Sequence, residues 1–269
     1  MSFKELLKAE LKFVYADVLR RKSVLLMFIM YPYILTAFVL LIGTSVGSPH
    51  VFIERVGVDP AVFFITSGFL LMTILGVSDD IFWKPIYDEM MGTQPYIISS
   101  PVSRIAYYAA IPIPRLILVI ISGLSSITIV LTYYYGLNGL LESLAVLILA
   151  GLSAILFITP SMILTGIIFS YGGENWRVIN VIRPLLLILI GAYYPRYLMP
   201  LATAVVSYLI PSSHIVEAIH RLITGFDATI VNILSLIGVG TALAILYTPF
   251  GLRSMVMWEV KKVKEGVKV

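Results

Sequence analysis

The chain has 269 residues, of which 59% are hydrophobic and only 13% charged, with a formal net charge of +4. A soluble domain carries about a quarter charged residues, so the composition excludes one and points to an integral membrane protein. There is no cysteine, which excludes disulfides, zinc–thiolate sites and thiol nucleophiles.

Residues 1–22 place Phe3, Leu6, Leu7, Val14 and Val18 on one helical face and Lys4, Lys8 and Lys12 on another. That spacing predicts an amphipathic helix lying in the membrane interface, with Arg20-Arg21-Lys22 at its cytoplasmic edge. A secretory signal does not fit, because the apolar run that follows is too long and lacks an Ala-x-Ala-like cleavage site. The runs are long enough for helical spans, so the fold class is all-α. The first span is residues 24–42, a short polar loop covers 47–59, and the second span is 60–77.

Residues 79–104 form the one long polar interruption in the front half. Asp79, Asp80, Asp88 and Glu89 stand beside Ile81, Phe82 and Trp83. The mixture cannot lie in hydrocarbon and is too apolar for a solvated tether. It predicts an amphipathic helix, a turn at Gly92-Thr93 and a stop at Pro101, with a partner outside the membrane docked on it.

The third span is 116–135, which leaves Arg115 at the cytoplasmic interface. After the turn at Gly136-Leu137-Asn138-Gly139, the fourth run is 140–171, kinked or tilted around Pro160. Gly172 to Arg177 breaks it, and the fifth span is 178–193. The apolar stretch 198–210 is about 20 Å of helix, against a hydrocarbon core of about 30 Å. With the amphipathic stretch that follows Pro211, it predicts a short outer re-entrant helix pair over 198–225. The sixth span is 230–250, and 253–269 is a basic tail.

The positive-inside rule orients this map. Of the 19 lysines and arginines, all but Arg55, Arg196 and Arg221 fall on one side, which puts both termini in the cytoplasm. The positive charge is thereby a topological signal, and no nucleic-acid partner is implied.

Few motifs carry chemistry. Gly43-Thr44-Ser45-Val46-Gly47 matches the hydrolase nucleophile elbow, which needs a strained turn and a histidine base. The histidines, His50, His214 and His220, are all assigned to the outer surface. Small residues closing a span explain the match better. No P-loop, His-Glu-x-x-His or EF-hand pattern occurs. His214, Glu217 and Arg221 share a helical face; one His and one acid make a poor metal site, and a Glu217–Arg221 ion pair at i, i+4 is the plainer reading. Tyr133, Tyr134, Tyr135, Tyr193, Tyr194 and Tyr197 gather at outer ends. They suit an aromatic belt, or faces lining an exit path where rings stack on a substrate. Intramembrane charge is scarce, which argues against a midplane ion relay.

Asp88-Glu89, Gly92-Thr93, Ile97-Ile98 and Pro101-Val102-Ser103-Arg104 together resemble the loop between the second and third spans of ABC-2 type permeases. Gln94-Pro95 stands where that family usually has Leu-Glu. The stretch from Pro211 through His214, Glu217-Ala218 and Arg221 to Gly225 resembles the family's segment before its sixth span. The resemblance implies the membrane subunit of an exporter, working as a pair of permease subunits with a separate ABC ATPase that carries the ATP and magnesium. This chain would then be no enzyme and hold no cofactor. It further implies that 79–104 is a coupling helix contacting the ATPase, with Asp79, Asp80, Phe82, Trp83, Asp88, Glu89, Gly92 and Thr93 as contact residues. The substrate would be a hydrophobic small molecule, a lipid or a lipid-linked glycan, moved outward across the plasma membrane. The alternatives are an intramembrane serine hydrolase using Ser45, and a channel or non-transporting scaffold.

Overall fold

The computed structural model describes residues 3–171 and 175–265, and among them all regular structure is helical. The expected break at Gly172-Gly173-Glu174 and the last residues of the tail lie outside the described residues. Helix α1 (Phe3–Val14) continues through a π-helical turn (Tyr15–Leu19) and an extended Arg21 into α2 (Lys22–Val46). Of the expected apolar face, Leu6, Val14 and Val18 are buried, Leu7 is half-buried and Phe3 is exposed. That face packs against protein, because Leu6 joins a core cluster with Ile81, Phe82 and Tyr107.

The expected polar loop at 47–59 is largely helix α3 (Pro49–Val56). Ser48 caps it by accepting from the His50 N–H, and Gly57 ends it at φ 85°, a conformation that glycine adopts without steric cost. Helix α4 (Pro60–Met90) starts on the Asp59 cap and does not stop at Val77. Its 31 residues span about 46 Å at 1.5 Å each. The helical part of the predicted coupling segment is therefore continuous with the second span. The physical reason is tertiary: Ile81 and Phe82 are buried, and Asp79 and Asp80 meet arginines from other helices.

Two short helices, α5 (Gln94–Ser99) and α6 (Arg104–Ala110), lead to α7 (Ile113–Gly123), a π-helical turn (Leu124–Thr128) and α8 (Ile129–Tyr171). Helix α8 is broken at Gly136, with φ 61° and ψ −136°. The chain then turns back, so that the Ser143 hydroxyl lies 3.3 Å from Thr128 Oγ1 and Gly139 sits against the Leu131 carbonyl, where a Cβ would collide. This is the expected turn at 136–139.

Helix α9 (Asn175–Ile190) is followed by a 3-10 turn (Arg196–Leu198), α10 (Leu201–Leu209) and α11 (Pro211–Thr224), the last two bent by 111° at Ile210. The amphipathic α11 lies inside the bundle. Every residue from Pro211 to His220 is buried, because α8 and α12 pack on it. Helix α12 (Ile230–Glu265) runs on through most of the expected basic tail. Met255, Trp258 and Glu259 are buried there, so residues 253–265 are a packed helix and not a free tail.

Among the described residues, four helical segments are long and apolar enough to cross a membrane, with 104–171 taken as one, or five if the bent α10–α11 pair counts as a span. Two core clusters hold the bundle together. One centres on Phe63, Phe69, Leu131, Phe157 and Ile215; the other, where the ends of α1, α4 and α12 meet, on Phe82, Tyr108, Met255 and Trp258. Helix α2 and the front half of α12 carry apolar side chains such as Ile34, Phe38, Ile245 and Leu246 outward.

Candidate functional site

The end of the bundle where α1, α4 and α12 converge carries the residues of 79–104 singled out from sequence. Asp88 closes the turn after α4. Thr93 donates its backbone N–H to the Asp88 carbonyl at 2.9 Å and its hydroxyl to Asp88 Oδ1 at 3.0 Å. Gly92, between them, has φ 66°, the left-handed conformation that favours glycine at a helix end. Tyr107 donates to Asp88 Oδ2 at 3.0 Å, and Lys84 lies 3.5 Å from Oδ1. The acid and the Gly-Thr pair thus form one folded unit in which the buried Asp88 faces the chain itself.

The Pro-Val-Ser-Arg element has an equally concrete role. Arg104 donates to the carbonyls of Ile97 at 3.1 Å and Ile98 at 2.7 Å, and to Glu259 Oε2 at 2.8 Å. A planar guanidinium fork suits three acceptors held in fixed directions. Glu259 also accepts from Tyr108 at 3.0 Å. One arginine therefore caps α5 and fastens the end of α12 to α6. Lys262 adds a second link from α12, to Glu89 at 2.7 Å.

Asp79 and Asp80 are paired deeper in the bundle. Arg183 of α9 donates to Asp79 Oδ2 at 2.5 Å, and Arg115 of α7 lies 2.9 Å from Asp80 Oδ1. A cleft of about 640 Å³ opens beside them, lined by Glu10, Asp17, Arg21, Trp83 and Lys84 among others. Glu10 pairs with Lys84 at 3.5 Å, and burial holds its carboxyl above the usual carboxylate range.

These placements correct the expected contact set. Phe82 is 1% exposed and cannot anchor a partner; it belongs to the core. Trp83 is half-buried in the cleft wall, and Asp79, Asp80 and Asp88 are engaged within the chain. Glu89, Gly92 and Thr93 are exposed. Beside them stand side chains that the sequence reading passed over: Tyr87 at 52% exposure, Met90 at 76%, Met91 at 74% and Tyr96 at 76%. Tyr87, Met90 and Met91 are spaced i, i+3, i+4, so a helical-wheel reading of α4 could have grouped them on one face.

The opposite end holds a buried polar network. Glu217 accepts from the Arg196 backbone N–H at 3.1 Å and from Arg221 Nε at 3.2 Å. Arg221 also reaches Asp227 Oδ2 at 2.5 Å, and Asn232 donates to Asp227 Oδ1 at 2.6 Å. Arg196, assigned from sequence to an outer loop, is buried; its guanidinium lies over the Tyr208 ring at 4.3 Å and donates to Ser213 Oγ at 3.1 Å. The expected Glu217–Arg221 pair is present. His214 donates from Nε2 to the Tyr208 carbonyl at 2.9 Å, and His220 packs against Phe63 with ring centres 5.0 Å apart. Both histidines are buried inside the bundle and not exposed on its surface.

Tyr133 is 84% exposed and stacks edge-on with Tyr134, 5.5 Å between centres. Tyr197 donates to the Arg55 carbonyl at 3.0 Å, and Tyr194 to that of Ile188 at 3.0 Å; Tyr193 and Tyr194 are half-buried. The tyrosines are thus dispersed over separate elements. Ser45 lies on the last turn of α2, not on a strand-to-helix elbow, and its hydroxyl donates to the Leu41 carbonyl at 2.7 Å. Among the described residues no group of three or more His, Cys, Asp or Glu side chains could hold a metal ion. No protein-family model, curated protein or solved structure matches the chain.

Proposed function

We propose that this chain is the membrane subunit of an ABC-2 type exporter, paired with a second permease subunit and driven by a separate ATPase. The observation that carries the reading is the folded elbow at 87–104. Asp88 with Gly92-Thr93, and Ile97-Ile98 with Arg104, are the residues of the family resemblance, and they interlock by hydrogen bonds. The elbow presents Tyr87, Met90, Met91 and Tyr96 at one end of the bundle. A cluster of exposed apolar and aromatic side chains rimmed by Glu89 has the composition of a protein interface centre. In this reading the elbow is the coupling element, and α2 with α12 supplies the apolar surface for lipid and for the second subunit.

The same end gathers α1 and the end of α12, in keeping with both termini facing the cytoplasm of a plasma-membrane protein. Six spans follow if the halves of the run broken at Gly136 and the shorter α9 each cross the bilayer. The substrate is a hydrophobic small molecule, a lipid or a lipid-linked glycan, and catalysis belongs to the partner. No feature of Ser45 favours a hydrolase.

The test is co-expression with an ABC ATPase subunit encoded beside this chain, followed by purification through a tag on the permease. The pair is expected to co-purify and to transport in an ATP-dependent manner in vesicles. Tyr96→Ser together with Met91→Ser should weaken retention of the ATPase about tenfold or more, since central interface residues carry most of the binding energy. Undiminished retention by that variant, or no co-purification at all, removes the coupling assignment.

A further inference from the structure

The motif from Gly43 to Gly47 has a structural consequence of its own. Val39, Gly43 and Gly47 recur every four residues and share one face of α2, and at the two glycines that face carries no side chain. A cavity of about 420 Å³ lies against it, walled by Val51, Phe52 and Arg55 of α3 and by Phe64 of α4. Gly43 and Gly47 are exposed, so the cavity opens sideways, next to outward apolar side chains of α2 such as Phe38.

Of the described side chains that line it, only those of Ser48 and Arg55 carry polar atoms. Ser48 is engaged as the cap of α3, accepting from the His50 N–H. Arg55 stands one turn from Val51 and Phe52 on the same wall, and among the described residues its guanidinium has no ion-pair partner. Its carbonyl accepts from Tyr197 at 3.0 Å, which ties the end of α3 to the 3-10 turn. The cavity is therefore an apolar slot with one unpaired cation in its own lining. Its depth matters as well. The stretch from Lys22 to Gly43 is 22 residues, about 33 Å of helix, against a hydrocarbon core of about 30 Å. With Lys22 at one boundary of a bilayer, the cavity stands at the other, where apolar chains meet charged heads.

We propose that this cavity holds the alkyl chain of an anionic single-chain amphiphile, with Arg55 binding its carboxylate or phosphate head. A guanidinium meets either head in bidentate fashion. The volume of about 420 Å³ corresponds to about fourteen waters. A methylene fills about the space of one water, so a single chain fits and the two chains of a phospholipid do not. The glycines let that chain lie against bare backbone. The rival occupant is a helix of a second copy, packed on the two glycines. It leaves the cation unmet, because neither α2 nor α12 from Ile230 to Val256 carries an acid. The site itself stands without the exporter reading; that such an amphiphile is cargo leaving at this end rests on that reading.

The experiment is photolabelling of the full chain in lipid nanodiscs at about pH 9, where a carboxyl is ionised. The probe is dodecanoic acid with a diazirine in its chain, and the adducts are mapped by peptide mass spectrometry. Adducts are expected within residues 39–64, and excess dodecanoate should displace them. Dodecanol should displace them about fivefold less well, the upper share of an exposed ion pair, and acetate not at all. Arg55→Gln should weaken labelling by about the same factor. Gly43→Leu should abolish it. A Cβ at Gly43 meets nothing within 4 Å and leucine is the better helix former, so this variant fills the slot without disturbing the fold. Dodecanol as effective as dodecanoate, displacement by acetate, or labelling that excess dodecanoate leaves unchanged each overturns the proposal. So does a disulfide between two copies of the Val51→Cys variant that forms under copper oxidation despite excess dodecanoate, which puts a second copy in the slot. The competition series uses the unaltered protein, so it decides even if a variant fails to fold. Displaceable labelling without ATP-driven transport keeps the site and removes the exporter; ATP-driven transport without such labelling does the reverse.

Discussion

Replacing Arg104 tests how the elbow is held. Its guanidinium serves the carbonyls of Ile97 and Ile98 and the carboxylate of Glu259, and the two charged side chains are 20% and 7% exposed. Hydrogen bonds to charged groups contribute about 1.5–3 kcal/mol, and breaking a fully buried pair costs about 3–5 kcal/mol. Arg104 keeps some access to water, which discounts the pair, so Arg104→Ala should destabilise by about 2–3 kcal/mol. Glu259 would retain only Tyr108 as a partner, so Arg104→Ala and Glu259→Ala should be less damaging together than the sum of the two. Arg104→Lys should recover less than half of the loss, since an ammonium cannot reproduce the planar fork. Unfolding in mixed micelles of increasing dodecyl sulfate measures all four variants. Strict additivity of the two alanine changes, or a lysine variant as stable as the parent, would refute the claim that one arginine fastens α5 to α12.

The Glu217–Arg221 pair should show the same coupling in a double-alanine cycle, by about 1 kcal/mol or more, because Glu217 also holds the Arg196 backbone; additive losses in thermal stability would mean two independent surface groups. Because the chain has no cysteine, single introduced cysteines report topology cleanly. Glu54→Cys and Phe226→Cys should react with an impermeant maleimide from outside the cell, and Tyr96→Cys only after permeabilisation. Labelling of Tyr96→Cys in intact cells would invert the orientation proposed for the bundle.

Local pattern was legible wherever a few adjacent residues decide the outcome. The buried face of α1, the reversal at Gly136 and the Glu217–Arg221 pair all follow from spacing within one or two helical turns. What was not legible depended on distant partners. The mixture of acids with Ile81, Phe82 and Trp83 reads equally well as a docking surface and as a helix end packed in charged company. The partner that decides for Asp79, Arg183, lies 104 residues away. The burial of α11 was hidden for a similar reason. Its serines, histidines and Glu217 look like a polar face until Arg196 and the Tyr208 carbonyl are placed opposite them. Arg196 itself was assigned by the charge rule to an outer loop, a rule that speaks of sides and not of depth. At the elbow, the same hydrogen bonds that explain Asp88, Thr93 and Arg104 remove Asp88 from any partner surface, and the exposed positions are the methionines and tyrosines between.

The link from Arg104 to Glu259 also sets an order in time. The two residues are 155 positions apart, and ribosomes add about 5–20 residues per second. Arg104 is therefore made roughly 8–30 s before its carboxylate partner exists. Through that interval α6, the carbonyl ends of α5 and the cluster around Tyr108 lack the strand of helix that covers them. Assembly of this end of the bundle therefore waits for the arrival of residues 255–262. A chain halted before that point has its earlier helices complete while Arg104 lacks its carboxylate and the elbow is unlatched from α12.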